Sequence, residues 1–197
     1  MAKRLLILGA GGHGNVVREV ALSMKKEGNA VYETIDFLDD YASEAIGKIN
    51  QLEEIKEKYD EVFCGIGNNT VRKELISQAE RIGCTIATLI HPTAYLSPSA
   101  VIEPGTVVEP KAIVNARSVI QKGGIISVGA IVDHDVVIEP FVHVNAGAIC
   151  KAGSRIERGR KLEAGEIVMG YPQIKNDLKA DWVVEHQKEF GEEPGFF

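Results

Sequence analysis

From Ile90 to Val168 every sixth residue is apolar: Ile90, Leu96, Ile102, Val108, Val114, Ile120, Ile126, Val132, Ile138, Val144, Cys150, Ile156, Leu162 and Val168. With 45% of the chain apolar, chance would give such a run roughly once in 10^5 trials, so the run marks a repeat. Period six matches neither a helix nor simple strand alternation. It predicts a parallel β-helix over 91–172, a solenoid of three flat faces per coil with each anchor pointing into the prism. Four residues after the anchors stand small or β-branched residues such as Ala100, Thr106, Ala112, Ser118, Gly124 and Ala130. Turns would place these where a bulky side chain meets the next coil.

Upstream the pattern changes. Strand-like runs at Leu5–Leu8, Val31–Leu38, Glu61–Ile66 and Thr85–Leu89 alternate with helical ones near His13–Lys26, Leu52–Lys58 and Thr70–Ile82. Such alternation predicts a parallel α/β sheet, a small Rossmann-like domain over 1–90 with fewer strands than the complete doubly wound fold. Gly170-Tyr171-Pro172 breaks the repeat, and a helical tail with Trp182 is expected over 173–197.

The 197 residues suit one large or two small domains, and the net charge of −6 argues against nucleic acid or an anionic membrane as partner. Three scattered cysteines, Cys64, Cys84 and Cys150, read as reduced thiols of a cytoplasmic protein. No stretch approaches the roughly 18 apolar residues of a membrane-spanning helix. Lys3-Arg4 before Leu5–Leu8 imitates a signal start, but the glycines that follow at once make it a first buried strand.

Gly9-Ala10-Gly11-Gly12-His13-Gly14 fits G-x-G-x-x-G between a strand and a helix, where backbone N–H groups can approach a pyrophosphate. NAD, a nucleotide diphosphate, or a tight turn without ligand all fit this motif. The short sheet and the lack of a hydride-transfer site favour the second. Asp39 and Asp40 end the second strand, and Gly65-Ile66-Gly67-Asn68-Asn69 ends the third, so both would face the same crevice.

Within the solenoid, titratable groups concentrate at Asp133-His134-Asp135, with His143 nine residues on. A histidine beside a carboxylate can have its tautomer fixed and serve as a general base near neutral pH. An exposed polar turn is the other reading. No Cys or His spacing matches a structural zinc site, so no metal is expected.

Gly9–Gly14 with His13, Phe37-Leu38-Asp39-Asp40, Gly65–Asn69 followed by Arg72, His91-Pro92 and Val132–Asp135 occur in one order. Together they resemble the bacterial sialic acid O-acetyltransferase family, which includes the nucleotide-sugar N-acetyltransferases. The resemblance covers about residues 3–172. It implies a left-handed β-helix, a homotrimer, and an active site between neighbouring subunits. It also implies a nucleotide-sugar substrate on the N-terminal domain and acetyl-CoA as co-substrate along the solenoid. Carried over, His134 is the base and Asp135 holds it. Gly11, Gly12, His13, Asp39, Asp40 and Gly67 contact the nucleotide-sugar, and Ser127 stands near the acceptor where Asn is familiar. His143 meets the acetyl thioester region, and backbone N–H groups near Gly147 are candidates for the oxyanion.

One departure stands out. Where the family adds Gly-rich coils, this repeat turns charged at Arg155, Glu157, Arg158, Arg160, Lys161, Glu163 and Glu166. A phosphate-binding rim and a solvated rim are both possible there. Besides acetyl transfer, the chain therefore suits an acyltransferase with another donor or acceptor. A non-catalytic trimeric protein that only binds a nucleotide-sugar is the third reading.

Overall fold

The computed structural model describes residues 2–26 and 28–171, so the expected tail over 173–197 with Trp182 lies outside the described residues. The chain opens with β1 (Lys3–Leu8) and α1 (Gly12–Ser23), then a short hairpin of β2 (Lys25–Lys26) and β3 (Asn29–Ala30). Next come β4 (Tyr32–Leu38), α2 (Leu52–Ile55), β5 (Glu61–Cys64) and α3 (Asn69–Arg81). The helix expected over Leu52–Lys58 is a single α-turn between two 3-10 turns.

β1 lies at the centre of a parallel sheet, with β4 and β5 on its two sides. Its residues alternate between two cores, which is why the run Leu5–Leu8 is apolar throughout. Leu5 and Ile7 face α1 residues Val17, Val20 and Ala21, whereas Leu6 and Leu8 face Leu52 and Ala79. Asn68 caps α3 by accepting from the Thr70 and Val71 N–H groups at 3.0 and 3.1 Å.

The fourth strand expected over Thr85–Leu89 does not join this sheet. Thr85 and Ala87 each make one backbone hydrogen bond with Val62, and the pairing ends there. The segment has to leave the sheet for the prism, so Leu89 pairs with Val107 as the first solenoid strand.

Among the described residues the repeat forms thirteen two-residue strands, from Leu89–Ile90 to Ile167–Val168. Their second residues are the anchors, and Leu162 completes the set through a bridge of Lys161 to His143. All fourteen anchors belong to one apolar cluster that fills the prism, together with Ala112, Ala130, Val136, Val142 and Ala148 at the turns. Ile113 pairs with Ile131 and Val119 with Val137, so one coil takes eighteen residues.

Three parallel sheets make the faces of this left-handed β-helix. The first holds the strands ending at Ile90, Val108, Ile126 and Val144. The second holds those ending at Leu96, Val114, Val132, Cys150 and Val168. The third holds Ile102, Ile120, Ile138 and Ile156.

The N-terminal domain sits on the first face. Outward-pointing Leu89, Val107 and Ile125 are fully buried in the core that β1 and α1 build. α3 runs along the corner between the third and first faces. Ile76 lies against the Gly105 and Gly123 turns, Arg72 donates to the Gly123 and Phe141 carbonyls, and Asn69 donates to the Gly159 carbonyl. One turn of helix (about 5.4 Å) nearly matches one coil of solenoid (about 4.8 Å), which lets successive helical turns meet successive coils.

Candidate active site

The Gly-rich loop is shaped by two of its glycines. Gly9 has φ +98, and a Cβ on Gly14 would lie 2.0 Å from the Gly9 carbonyl oxygen, so α1 starts hard against the end of β1. Gly11 and Gly12 border open space, as a ligand-facing loop requires. Asp39 works inside this structure: its carboxylate accepts from the Ala10, Tyr41 and Ala42 N–H groups at 2.8, 2.8 and 2.9 Å. Those hydrogen bonds hold its carboxyl below the usual range. Asp40 is exposed and accepts only the Ile49 N–H, at 3.1 Å. Beside it Tyr41, 97% exposed, offers an aromatic ring at the rim of the loop. Gly67 borders His13, its side-chain position 3.9 Å from the His13 Cβ, so the two loops do adjoin.

Where the domain meets the solenoid, the outward column Leu89, Val107, Ile125 continues into His143, which is 8% exposed. The next column along the same coils supplies Glu109 and Ser127, both buried. His143 Nε2 lies 3.1 Å from Ser127 Oγ, and the His13 and His143 ring centroids are 6.2 Å apart. His13 Nδ1 stands 3.7 Å from Glu109 Oε1, a contact too long for a hydrogen bond. Glu109 accepts the Val128 N–H at 2.9 Å.

Burial governs the charges here. It lowers His13 to about 4, helped by the Arg72 and Lys161 charges. It lowers His143 to about 4 as well, helped by Lys161, His13 and Arg72, with the Gly67 backbone opposing. Burial also raises Glu109, against the Val128 hydrogen bond. Both imidazoles are therefore neutral at neutral pH. His13 Nε2 and His143 Nδ1 are buried with no partner of hydrogen-bond geometry. The Gly67 backbone lies near enough to His143 to affect it, so His13 Nε2 is the ring nitrogen left costly unless a ligand or water meets it.

His134 lies elsewhere, on the corner between the second and third faces. Its Nδ1 is 2.7 Å from Asp135 Oδ2, and its N–H donates to Asp133 Oδ1 at 2.8 Å. Asp135 also receives a two-pronged contact from Arg117, Nε to Oδ1 at 2.6 Å and a terminal nitrogen to Oδ2 at 2.7 Å. Arg117 first, then His134, holds the Asp135 carboxyl far below the usual range. An ionised carboxylate can only accept, so the Nδ1 of His134 carries the proton and Nε2 presents a lone pair. Among the described residues Nε2 has no protein hydrogen bond. That corner is opposite the first face, so one chain does not bring His134 to His143.

The amides around Gly147 are engaged within the solenoid. Gly147 N–H donates to the Val128 carbonyl at 3.0 Å, Ala146 N–H to Asn145 Oδ1 at 2.9 Å, and Ala148 N–H to the Asn145 carbonyl at 3.0 Å. These three amides take part in coil-to-coil and turn bonding, and open space borders Gly147. In the charged rim, Arg155 pairs with Glu139 and Arg160 with Glu166, a solvated ion-paired edge.

Glu109, Arg117 and Tyr41 were not singled out by the sequence. Glu109 stands eighteen residues before Ser127, and Arg117 eighteen before Asp135, so the coil length is the signal that finds both. Arg72 was noted only as part of a motif, and it is a fully buried clamp.

Comparisons with known proteins fit this geometry. A family model described as the PglD N-terminal domain matches residues 4–79. The acetyltransferase domain of PglB from Neisseria gonorrhoeae FA1090 is 36% identical with a TM-score of 0.79, covering 85% of this chain and 82% of that one. The same domain in complex with acetyl coenzyme A is 34% identical with a TM-score of 0.81, covering 86% and 83%. PerB from Caulobacter crescentus, in complex with CoA and GDP-perosamine, is 27% identical with a TM-score of 0.73, covering 85% and 89%. At 36% identity over four-fifths of a solved relative, the chain belongs to the nucleotide-sugar acetyltransferase family.

Proposed function

We propose that this protein transfers the acetyl group of acetyl-CoA to the amine, or a hydroxyl, of a nucleotide-linked sugar, with His134 as general base. The observation that carries the reading is His134 itself, its Nδ1 held by Asp135 at 2.7 Å and its Nε2 open. The acceptor nitrogen or oxygen attacks the thioester carbonyl while Nε2 takes its proton. The tetrahedral intermediate then expels the CoA thiolate, which recovers that proton from His134. His143, kept neutral by burial, meets the acyl donor as a hydrogen-bonding group rather than as a charge. Gly11, Gly12, His13, Asp40 and Gly67 line the nucleotide-sugar side, with Asp39 shaping the loop from behind. Ser127 stands with His143 next to the acceptor.

A homotrimer supports this division of labour. The second face turns Tyr95, Ile113, Ile131, Ile149 and Ile167 outward, and the third turns Val101, Val119 and Val137 outward. Tyr95, Val101 and Ile167 are more than half exposed. Two adjoining apolar faces suit a heterologous contact that closes into a ring. Such a ring would enclose the His134 corner, which joins these two faces, between neighbouring subunits. Unpaired Cys64, Cys84 and Cys150 suit the cytoplasm, where nucleotide-sugars for glycan assembly are acetylated.

Calorimetric titration with acetyl-CoA tests the donor half, followed by a thiol-release assay with UDP- and GDP-linked 4-amino sugars. Saturable binding at one site per chain and acceptor-dependent thiol release are expected. No binding at millimolar acetyl-CoA overturns the reading in favour of another donor or a protein that only binds nucleotide-sugar.

A further inference from the structure

The left-handed turns of the solenoid carry glycine at Gly105, Gly123, Gly129, Gly147, Gly153, Gly159 and Gly165, all with positive φ. Four other residues occupy the same turn position, Lys111, Arg117, Asp135 and Phe141, with φ between +57 and +60, and of these Arg117 and Asp135 share a corner. They stack on consecutive coils of one corner. A non-glycine residue pays about 1 kcal/mol or more for this conformation. Two such residues, adjacent and locked to each other, mark a place where the side chains matter more than the strain.

Arg117 reaches Asp135 through Nε and a terminal nitrogen, at 2.6 and 2.7 Å. Asp135 Oδ2 therefore serves both the guanidinium and His134 Nδ1. A carboxylate held only by histidine would both orient the ring and raise its basicity. Here a full positive charge sits on the far side of the same carboxylate.

We propose that Arg117 is a positioning residue for His134: it fixes Asp135, so that Asp135 sets the ring's orientation and tautomer while most of its negative charge is cancelled. The other groups facing His134 are few. Asp133 on its own turn accepts the His134 N–H and an Asn115 amide hydrogen. From the following coil, Tyr171 brings its ring centroid to 6.5 Å, and burial followed by Asp135 raises its phenol, so it stays neutral. Gly153 beneath it has no side chain. Among the described residues Arg117 is the one Lys or Arg side chain paired with this group, through Asp135. The device holds the ring with Nδ1 on Asp135 and Nε2 turned away from it, the orientation a base needs. Its catalytic meaning rests on the proposed role of His134.

The test is nuclear magnetic resonance titration of the His134 ring in the full chain, beside the pH profile of kcat/KM. Arg117 is 67% exposed, so its replacement leaves the prism core untouched. Arg117→Gln should raise the His134 pKa by about 0.5–1 unit and move the acid limb of kcat/KM upward with it. Arg117→Lys should return the pKa towards wild type, because it restores the charge. Its plateau kcat should stay low, because an ammonium cannot make the fork. A ring pKa that is unchanged or lowered in Arg117→Gln overturns the proposal. If the ring pKa moves as stated but the wild-type protein has no acetyl transfer, the base reading of His134 fails and the assignment of Arg117 stands.

Discussion

Replacing Arg72 by Met should uncouple the two domains without touching either core. The guanidinium is fully buried and donates to Gly123 O at 2.8 Å, Phe141 O at 3.1 Å, Ile66 O and Gly67 O at 3.2 Å, and Asn69 Oδ1 at 2.7 Å. Burial lowers it to about 10, so it remains charged at neutral pH. Methionine would fill the space yet leave the Gly123 and Phe141 carbonyls buried without partners, at about 1–3 kcal/mol each. The remaining acceptors are less enclosed and can recover water. Relief of the arginine's own desolvation offsets part of the loss, so the net cost should be about 3 kcal/mol. With a urea m-value of about 2 kcal/mol per molar, the midpoint should fall by about 1.5 M at fixed protein concentration. Arg72→Lys should not rescue it, since one ammonium cannot span Gly67 and Gly123 together. Circular dichroism in urea reads the stability, and kcat/KM reads the position of His13 against His143. A midpoint within about 0.3 M of wild type would refute the clamp, because the unpaired carbonyls would then carry no appreciable cost.

His134→Ala should lower kcat by about 10²–10⁴-fold with the assembly intact on size-exclusion chromatography, and activity within a few-fold of wild type would remove His134 as the base. His13 and His143, both near 4 in the folded protein against 6.5 unfolded, make the unfolded state the better proton binder between those values. Stability should therefore be full above pH 6.5 and fall as the pH drops towards 4, by up to about 1.4 kcal/mol per pH unit for each histidine. His143→Gln should remove close to one proton from that slope in pH-dependent urea melts. Glu109 stands beside His13, on the proposed nucleotide-sugar side, so Glu109→Gln should raise the acceptor KM about tenfold with kcat little changed, as for a group felt equally in ground and transition states. Val114→Asp should abolish folding as seen by circular dichroism, since an unpaired charge in the prism costs several kcal/mol, about the whole stability of a domain.

The solenoid was legible because its interior admits only one kind of residue. A prism three strands wide leaves no room for polar anchors, so the constraint surfaces in the sequence every six residues, as Val114 and Val132 show. The period did not reveal what lies outside the prism. Glu109 beside Ser127 and Arg117 beside Asp135 are neighbours only once the coil closes after eighteen residues. The Thr85–Leu89 segment has a strand's composition, yet one bridge to Val62 is all the sheet offers it. Asp39 illustrates a different limit. Its position in the motif is compatible with holding a ligand or holding the loop, and only three N–H groups converging on its carboxylate separate the two. Gly147 likewise reads as a free amide in the sequence, and its bond to the Val128 carbonyl becomes visible only once the coils stack.

The docking of α3 along the solenoid corner limits where the chain can change length. Asn69, Arg72 and Ile76 meet the turns at Gly159, Phe141, Gly123 and Gly105, so an eighteen-residue insertion or deletion among these coils would shift partners out of reach. Because helix and coil advance by slightly different steps, about 0.6 Å per turn, the match holds only over this short span. Past Gly159 no helical turn among the described residues keeps count. Coils there can be gained or lost as whole units while the domain junction stays in register. The charged end of this repeat lies in that permissive zone, so under the proposed reading a donor groove there could change length without disturbing the acceptor side.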